Sequence, residues 1–233
     1  PSGLNNINVV RGDDKGNYTA ENIVLEDNQD FGTPVNFNAD KVEFVYQNQK
    51  QANGTNCWNT IMLPFRATQV TADNIPINWF RSSTDVNGQF WMKRFTDDTF
   101  NTVYFDYESN DYLEANTPYI IALPAHLGEQ AYDLSDKTIR FIGENTIVHK
   151  ADGHATVTAS NYRFTGSTHA VYSHDIYSLN GTGNRFQLTN SSKAFRAYFK
   201  SADFHQNCTS LTIGTNEVTG IESLPLNLSS NGE

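Results

Sequence analysis

Two short apolar runs, each closed by a proline, constrain this chain more than anything else in it. The first is Cys57-Trp58-Asn59-Thr60-Ile61-Met62-Leu63-Pro64-Phe65. The second is Leu113-Glu114-Ala115-Asn116-Thr117-Pro118-Tyr119-Ile120-Ile121-Ala122-Leu123-Pro124. Trp, Thr, Ile, Tyr and Phe favour a pleated surface, and each apolar stretch is too short for a typical globular helix. Trp58, Thr60, Met62 and Pro64 fall on one face of the first run, with Asn59, Ile61, Leu63 and Phe65 on the other. Large apolar groups on both faces predict a strand covered on both sides. Proline has no N–H to give a ladder, so pairing should stop at Pro64 and at Pro124. Their common shape predicts that the two runs are neighbours in one sheet.

The remaining chain reads as short strands separated by turn residues. Val42, Phe44 and Tyr46 alternate with Lys41, Glu43 and Val45, the pattern of an antiparallel strand with one wet face. Ahead of it lie the short strands Asn22–Glu26 and Val35–Asn38. A hairpin series is predicted between Val70 and Asn110: Ile75 to Arg81, a turn at Asp85-Val86-Asn87-Gly88, then Gln89 to Phe95 and Thr102 to Tyr107. Thr138 to Gly143 is a strand stopped by its glycine, continued by Thr146 to His149 beyond a bend. Strands at Thr156–Thr158, Tyr162–Gly166, Ala170–Tyr172, Ile176–Leu179, Arg185–Leu188, Phe195–Phe199 and Ser210–Ile213 have the spacing of a sandwich. The predicted fold is all-β, an antiparallel β-sandwich or two stacked sheet subdomains, with little helix. Its expected organisation is a flexible N-terminal tail over 1–16, an all-β domain over 17–219 with a sub-boundary near 143–155, and a C-terminal linker over 220–233.

Charge narrows the partners. Sixteen Lys and Arg (16) against 26 Asp and Glu give a formal net charge of −10 over 233 residues. Nucleic-acid binding needs concentrated Lys and Arg, so no nucleic-acid partner is expected, nor adhesion to anionic lipid. No run approaches the roughly 18 apolar residues of a membrane span, so this segment is not expected to insert directly. The chain opens at Pro1 without an apolar signal region and reads as a mature fragment or a trimmed piece, any export signal having been lost with the true start. Its two cysteines, Cys57 and Cys208, allow one bridge or two buried thiols.

Trp58-Asn59-Thr60-Ile61-Met62-Leu63-Pro64-Phe65, Asn116-Thr117-Pro118-Tyr119-Ile120-Ile121, Phe195-Arg196-Ala197-Tyr198-Phe199 and Val218-Thr219-Gly220-Ile221-Glu222 together resemble one known module. It is the β-rich C-terminal region of BspA-like leucine-rich-repeat and other exported proteins of Bacteroides and Prevotella. The resemblance covers roughly Tyr18 to Glu222. It implies an extracellular or outer-membrane surface location and a non-catalytic role in adhesion or structural display. It implies a host or bacterial surface glycan or protein as partner, and it brings no binding residues that can be transferred.

Few residues suggest chemistry. No two of His126, His149, His154, His169, His174 and His205 have the spacing of a zinc helix, and His205 three residues before Cys208 lacks further ligands. Ser173-His174-Asp175 has no nucleophile elbow to meet. Glu108, Asp111 and Glu114 read as solvated turn residues rather than a glycosidase pair. Asp97-Asp98 and Asp27-Asn28-Gln29-Asp30 do not follow a calcium loop and read as Asx turns. Arg11-Gly12-Asp13 matches the integrin-read tripeptide but sits in a segment that reads as a solvated tail. No catalytic residue, metal or cofactor is expected. Sugar binding needs an aromatic face flanked by polar side chains, and Trp79, Trp91 and Tyr177 are the candidate ligand platforms; core packing explains the same three residues. The leading expectation is therefore a non-catalytic surface module. The alternatives are a carbohydrate-binding module of a glycan-foraging system and, third, a glycosidase.

Overall fold

The computed structural model describes residues 8–47, 58–124, 133–150, 155–202 and 208–214. Seventeen strands run through them in chain order: β1 Arg11–Gly12, β2 Tyr18–Glu26, β3 Phe37–Gln47, β4 Trp58–Ile61, β5 Gln69–Ala72, β6 Ile75–Ile77, β7 Trp79–Phe80, β8 Phe90–Asp98, β9 Thr102–Tyr107, β10 Tyr119–Ala122, β11 Thr138–Val148, β12 Ala155–Thr158, β13 Tyr162–Ser167, β14 Val171–Leu179, β15 Arg185–Ser192, β16 Arg196–Ser201 and β17 Ser210–Gly214. None of the described residues is helical, and no helix is long and apolar enough to cross a membrane. The strands form two packed sheets, a sandwich-like all-β fold. The smaller sheet has the order β1-β2-β3-β11-β5-β6, and the larger runs β12-β13-β16-β14-β15-β17-β9-β8-β10-β4, with β7 attached to β8.

The two proline-closed runs are indeed neighbours. β10 pairs antiparallel with β4 in the register Tyr119↔Ile61 to Ala122↔Trp58, and β8 flanks β10 on its other side. Ladder pairing ends at Ile61 and Ala122, ahead of each closing proline. Both faces of these strands are covered, because two cores share them. Ile61, Leu63, Phe90, Met92, Tyr119 and Ile121 join the core that faces the small sheet, where Val42, Phe44, Tyr46, Ile139 and Phe141 meet them. On the opposite face Phe95 and Ile120 join a second core with Phe105, Tyr162, Phe164, Phe186 and Phe199.

The large sheet curls around that second core until β4 reaches β16. Met62 N donates to Phe195 O at 3.2 Å, Trp58 N to Gly183 O at 3.1 Å, and the buried Thr60 hydroxyl accepts the Ala197 amide at 2.9 Å. Gly166 allows the approach, since a Cβ there would come within 2.6 Å of the Met62 side chain. Phe199 is the hub of the enclosed rings, with centroids 4.5 Å from Phe164, 4.7 Å from Phe186 and 5.0 Å from Phe95.

The fold departs from the sequence reading in four places. Not every pair is antiparallel: β2–β3, β7–β8 and β17–β9 are parallel. The predicted strand Ile75–Arg81 divides at Asn78, giving β6 to the small sheet and β7 to the large one; Asn78 pairs with Gln89 instead, through its amide and its carbonyl. Residues 8–16 of the expected tail are docked, with β1 paired to β2 at Arg11↔Thr19 and Gly12↔Tyr18. The expected sub-boundary at 143–155 separates no sheets, since β11 crosses Gly143 unbroken and the large sheet draws strands from both sides. The proposed linker over 220–233 lies outside the described residues, as do Cys57, His126, His154 and His205. Cys208 is a free thiol whose Sγ donates to Ser210 O at 2.7 Å.

Gly143 does not stop its strand; it makes room for another. The chain leaving β4 passes directly over it, so a Cβ at 143 would lie 2.4 Å from the Arg66 carbonyl oxygen and 2.8 Å from the Phe65 ring. Backbone cannot yield there as a flexible side chain would. Gly143→Ala should therefore lose about 1–3 kcal/mol of stability. Urea unfolding of the variant against the native protein measures this, and an unchanged midpoint would contradict the close approach.

Candidate functional site: a groove at the open side of the small sheet

Two segments that read as polar connectors frame a recess beside β2. The first is the stretch 8–12. Asn8 has a positive φ of 58°. Its backbone N–H donates to Asn22 O at 3.0 Å. Its side-chain amide then stands in for a missing strand residue, accepting Val24 N at 2.8 Å and donating to Val24 O at 3.1 Å. An asparagine amide carries the same donor and acceptor as a peptide group, so it can fill a ladder rung.

The second segment joins the parallel strands β2 and β3 over residues 27–36. A parallel connection must cross from one end of its sheet to the other. This one is held against the large sheet on the way. Phe31 N donates to Thr168 O at 3.0 Å, Ala170 N donates to Asp30 Oδ1 at 2.7 Å, and Gly32 lies against the His169 imidazole. At its root the nearly enclosed Asp27 carboxylate pairs with Arg196 at 2.6 Å. Burial pushes the Asp27 carboxyl above its ordinary value, while Arg196 pulls it down.

Between these segments lies a groove of about 770 Å³. Its floor is the side of the first core, formed by Ile23, Leu25, Phe37 and Phe195. Val10 and Tyr18 line one wall, 40% and 37% exposed, and Phe31, Pro34 and Val35 line the other. Polar atoms come from Asn8, Glu26, Gln29, Asp30 and Thr33. Phe195 is unusual for a bulky residue in having a positive φ of 58°. That conformation costs roughly 1–2 kcal/mol. It aims the Phe195 carbonyl at Met62 N while the ring packs 4.7 Å from Phe44.

The three aromatic platforms read from the sequence are elsewhere, and all are interior. Trp79 is 5% exposed, with its indole N–H donating to Glu108 O at 3.0 Å. Trp91 is 2% exposed and packs on Phe80 at 5.1 Å. Tyr177 is 3% exposed and donates its hydroxyl to Cys208 O at 2.8 Å. None of the three lines the groove or turns a ring face to solvent: Trp79 belongs to the first core, Tyr177 to the second, and Trp91 to a small third cluster with Phe80 and Ala122. Half-buried Trp58 is the aromatic nearer the surface; with Tyr107 it flanks the Lys93 ammonium, whose nitrogen lies 4.2 Å from the Tyr107 ring centre.

Glu108 overturns its reading as a solvated turn residue, since it is fully buried. It extends the ladder from β9, its N–H donating to Met92 O at 3.0 Å. Its carboxylate accepts Arg94 Nε at 3.1 Å and the Asn110 amide at 2.9 Å. Those bonds commit it to structure. Glu108→Ala should cost about 2 kcal/mol, chiefly by leaving the Asn110 N–H unpaired, because Arg94 is free to turn to water. A thermal melt tests this, with a shift too small to resolve as the contrary result.

Several other candidates have structural partners too. Asp98 accepts the Tyr162 amide at 2.7 Å and the Asn161 side chain at 2.7 Å. Ser173-His174-Asp175 forms a bulge in β14, where the serine hydroxyl donates to His174 O. In Arg11-Gly12-Asp13, Arg11 pairs with Glu21 at 2.8 Å, and Asp13 accepts the Lys15 and Asn17 amides. The Asn17 bonds hold the Asp13 carboxyl below its ordinary value. Among the described residues no group of three or more His, Cys, Asp or Glu is placed to hold a metal.

Comparison with protein-family models, curated proteins and solved structures finds no match to this chain.

Proposed function

We propose that this chain is a non-catalytic module of an exported cell-surface protein, serving adhesion or structural display. The observation that carries this reading is where the buried charges go. Asp27 is paired with Arg196, Glu108 with Arg94, and Asp98 with the Asn161–Tyr162 backbone. A poised acid–base couple needs a carboxylate or imidazole within reach of a substrate proton. These carboxylates instead hold strands and loops together, and the result is a stiff scaffold whose loops are tied at several points. The resemblance of Trp58–Phe65 and Asn116–Ile121 to the C-terminal region of BspA-like proteins supports a location on the extracellular or outer-membrane surface, with a surface glycan or protein as partner.

A carbohydrate-binding role is the second reading. With Trp79, Trp91 and Tyr177 interior, it draws instead on Tyr18 at the groove wall and on Trp58. The experiment that separates the readings is a glycan array run beside retention of domain-coated beads on epithelial cells and on matrix proteins. Adhesion predicts bead retention whether or not a glycan is selected. Selective glycan binding lost in Tyr18→Ala favours the second reading. Beads that wash off every surface would overturn the adhesive role, and hydrolysis of arrayed glycans would overturn the non-catalytic one.

A further inference from the structure

We propose that the groove beside β2 binds a small amphiphile, taking an apolar chain or ring between the sheets and leaving a neutral or cationic polar end at the rim. This goes beyond the adhesive role and does not depend on it, since it rests on the groove alone.

The lining decides the ligand's character. A recess of about 770 Å³ is within the range of small-molecule sites, which are mostly apolar with a few placed polar groups. Here the floor is Ile23, Leu25, Phe37 and Phe195, continuous with the core. Three of the polar side chains are already engaged with backbone, one of them Asp30, whose Oδ1 accepts the Ala170 amide at 2.7 Å. Asn8 completes the β2 ladder at Val24, and the Thr33 hydroxyl donates to Val35 O at 2.9 Å. A sugar would need converging donors and acceptors for each hydroxyl it lost from water. An apolar group needs only the displacement of water from apolar walls, at about 25 cal/mol per Å².

Charge decides the polar end. Among the described residues that line the groove none is Lys, Arg or His, while Glu26 and Asp30 both line it. The chain's net charge of −10 adds a field of the same sign. An anionic head would meet repulsion, whereas a neutral or cationic head would not. The site is also formed in advance. Its outer wall is tied to the large sheet through Phe31, Asp30 and Gly32, and its floor holds Phe195 in a backbone region that bulky residues avoid. Such outliers cluster at ligand sites, where surrounding structure enforces them.

The test is a titration of the full chain with N-phenyl-1-naphthylamine, a neutral probe that brightens in apolar surroundings. Saturable enhancement is expected, and dodecyltrimethylammonium below its micelle concentration should displace the probe at about tenfold lower concentration than dodecyl sulfate, a difference of about 1.4 kcal/mol. Val10→Trp places a large ring at the exposed mouth and should weaken probe binding by about tenfold or more. Val35→Trp, on the opposite wall, should do the same, so the result does not hang on one variant. Thermal melts of both variants show whether they fold. The double variant Glu26→Gln/Asp30→Asn should remove the preference between the two detergents. The proposal is overturned by absence of saturable enhancement, by unchanged probe binding in both folded Trp variants, or by dodecyl sulfate competing as well as the cationic detergent.

Discussion

Arg196→Met should destabilise the protein by about 3–5 kcal/mol at neutral pH, the usual consequence of leaving one member of a buried ion pair behind. The charge left behind is Asp27, at the root of the 27–36 connection, and burial already holds its carboxyl above the ordinary value. Arg196 opposes that shift, so its removal raises Asp27 further. A carboxyl whose folded pKa exceeds its unfolded one contributes stability that is complete below the unfolded value and fades as pH rises through the folded value. The variant's deficit should accordingly be widest at neutral pH and narrow as pH falls from the raised value toward 3.8. Urea midpoints at pH 7 and pH 5 read this directly. Asp27→Asn/Arg196→Met, which removes both charges, should recover much of the loss. If the double variant is as unstable as the single one, the pair is not the cause.

Phe199→Ala should be comparably severe, at about 3–5 kcal/mol. The ring touches Phe95, Phe105, Phe164 and Phe186, and lies edge-on to Tyr162 at 6.2 Å. Those five come from β8, β9, β13 and β15, strands spread from Phe90 to Ser192 and held together by the large sheet, so no local movement can refill the space. Phe199→Leu keeps most of the volume and should lose less than half as much. Because Phe199 belongs to the second core and the groove opens on the first, a folded Phe199→Leu protein should bind the naphthylamine probe as the native protein does. Chemical denaturation with the probe assay alongside checks both statements. A Phe199→Ala protein as stable as the native one would mean that the ring cluster does not hold the curled sheet.

The parts of the fold legible in the sequence are those where side-chain chemistry and backbone agree. Trp58–Ile61 and Tyr119–Ala122 could be read as adjacent strands because prolines bound them and both faces are apolar. Val42, Phe44 and Tyr46 could be placed inward because their alternation is clean. Pairing direction was not legible. The 27–36 stretch contains Asp27-Asn28 and Gly32-Thr33-Pro34, residues that punctuate a hairpin as readily as a crossover. Its outcome depends on partners such as Thr168 and Arg196, about 140 and 170 positions away in the chain.

The candidate site was harder still. Large aromatics near polar residues can be core or platform, and burial settles Trp79, Trp91 and Tyr177 as core. Glu108 looked solvated because its neighbours Ser109, Asn110 and Asp111 are turn formers; that β9's ladder continues one residue into them leaves no mark in composition. The groove arises from two stretches without periodicity, and Asn8 acts there through an amide that imitates backbone. Nothing in the sequence distinguishes such an asparagine from the others near it.

The position of β17 has a consequence for how the molecule comes into being. It lies between β15 and β9 in the large sheet, parallel to β9, although it is the last strand of the described chain. Until Ser210–Gly214 arrives, the strands on either side present raw hydrogen-bonding edges to a vacant slot. A chain emerging from a ribosome thus leaves the large sheet unfinished until Ser210–Gly214 is out. A protein cut short ahead of that strand would offer the slot to its siblings, and self-association rather than simple loss of activity would be its characteristic failure.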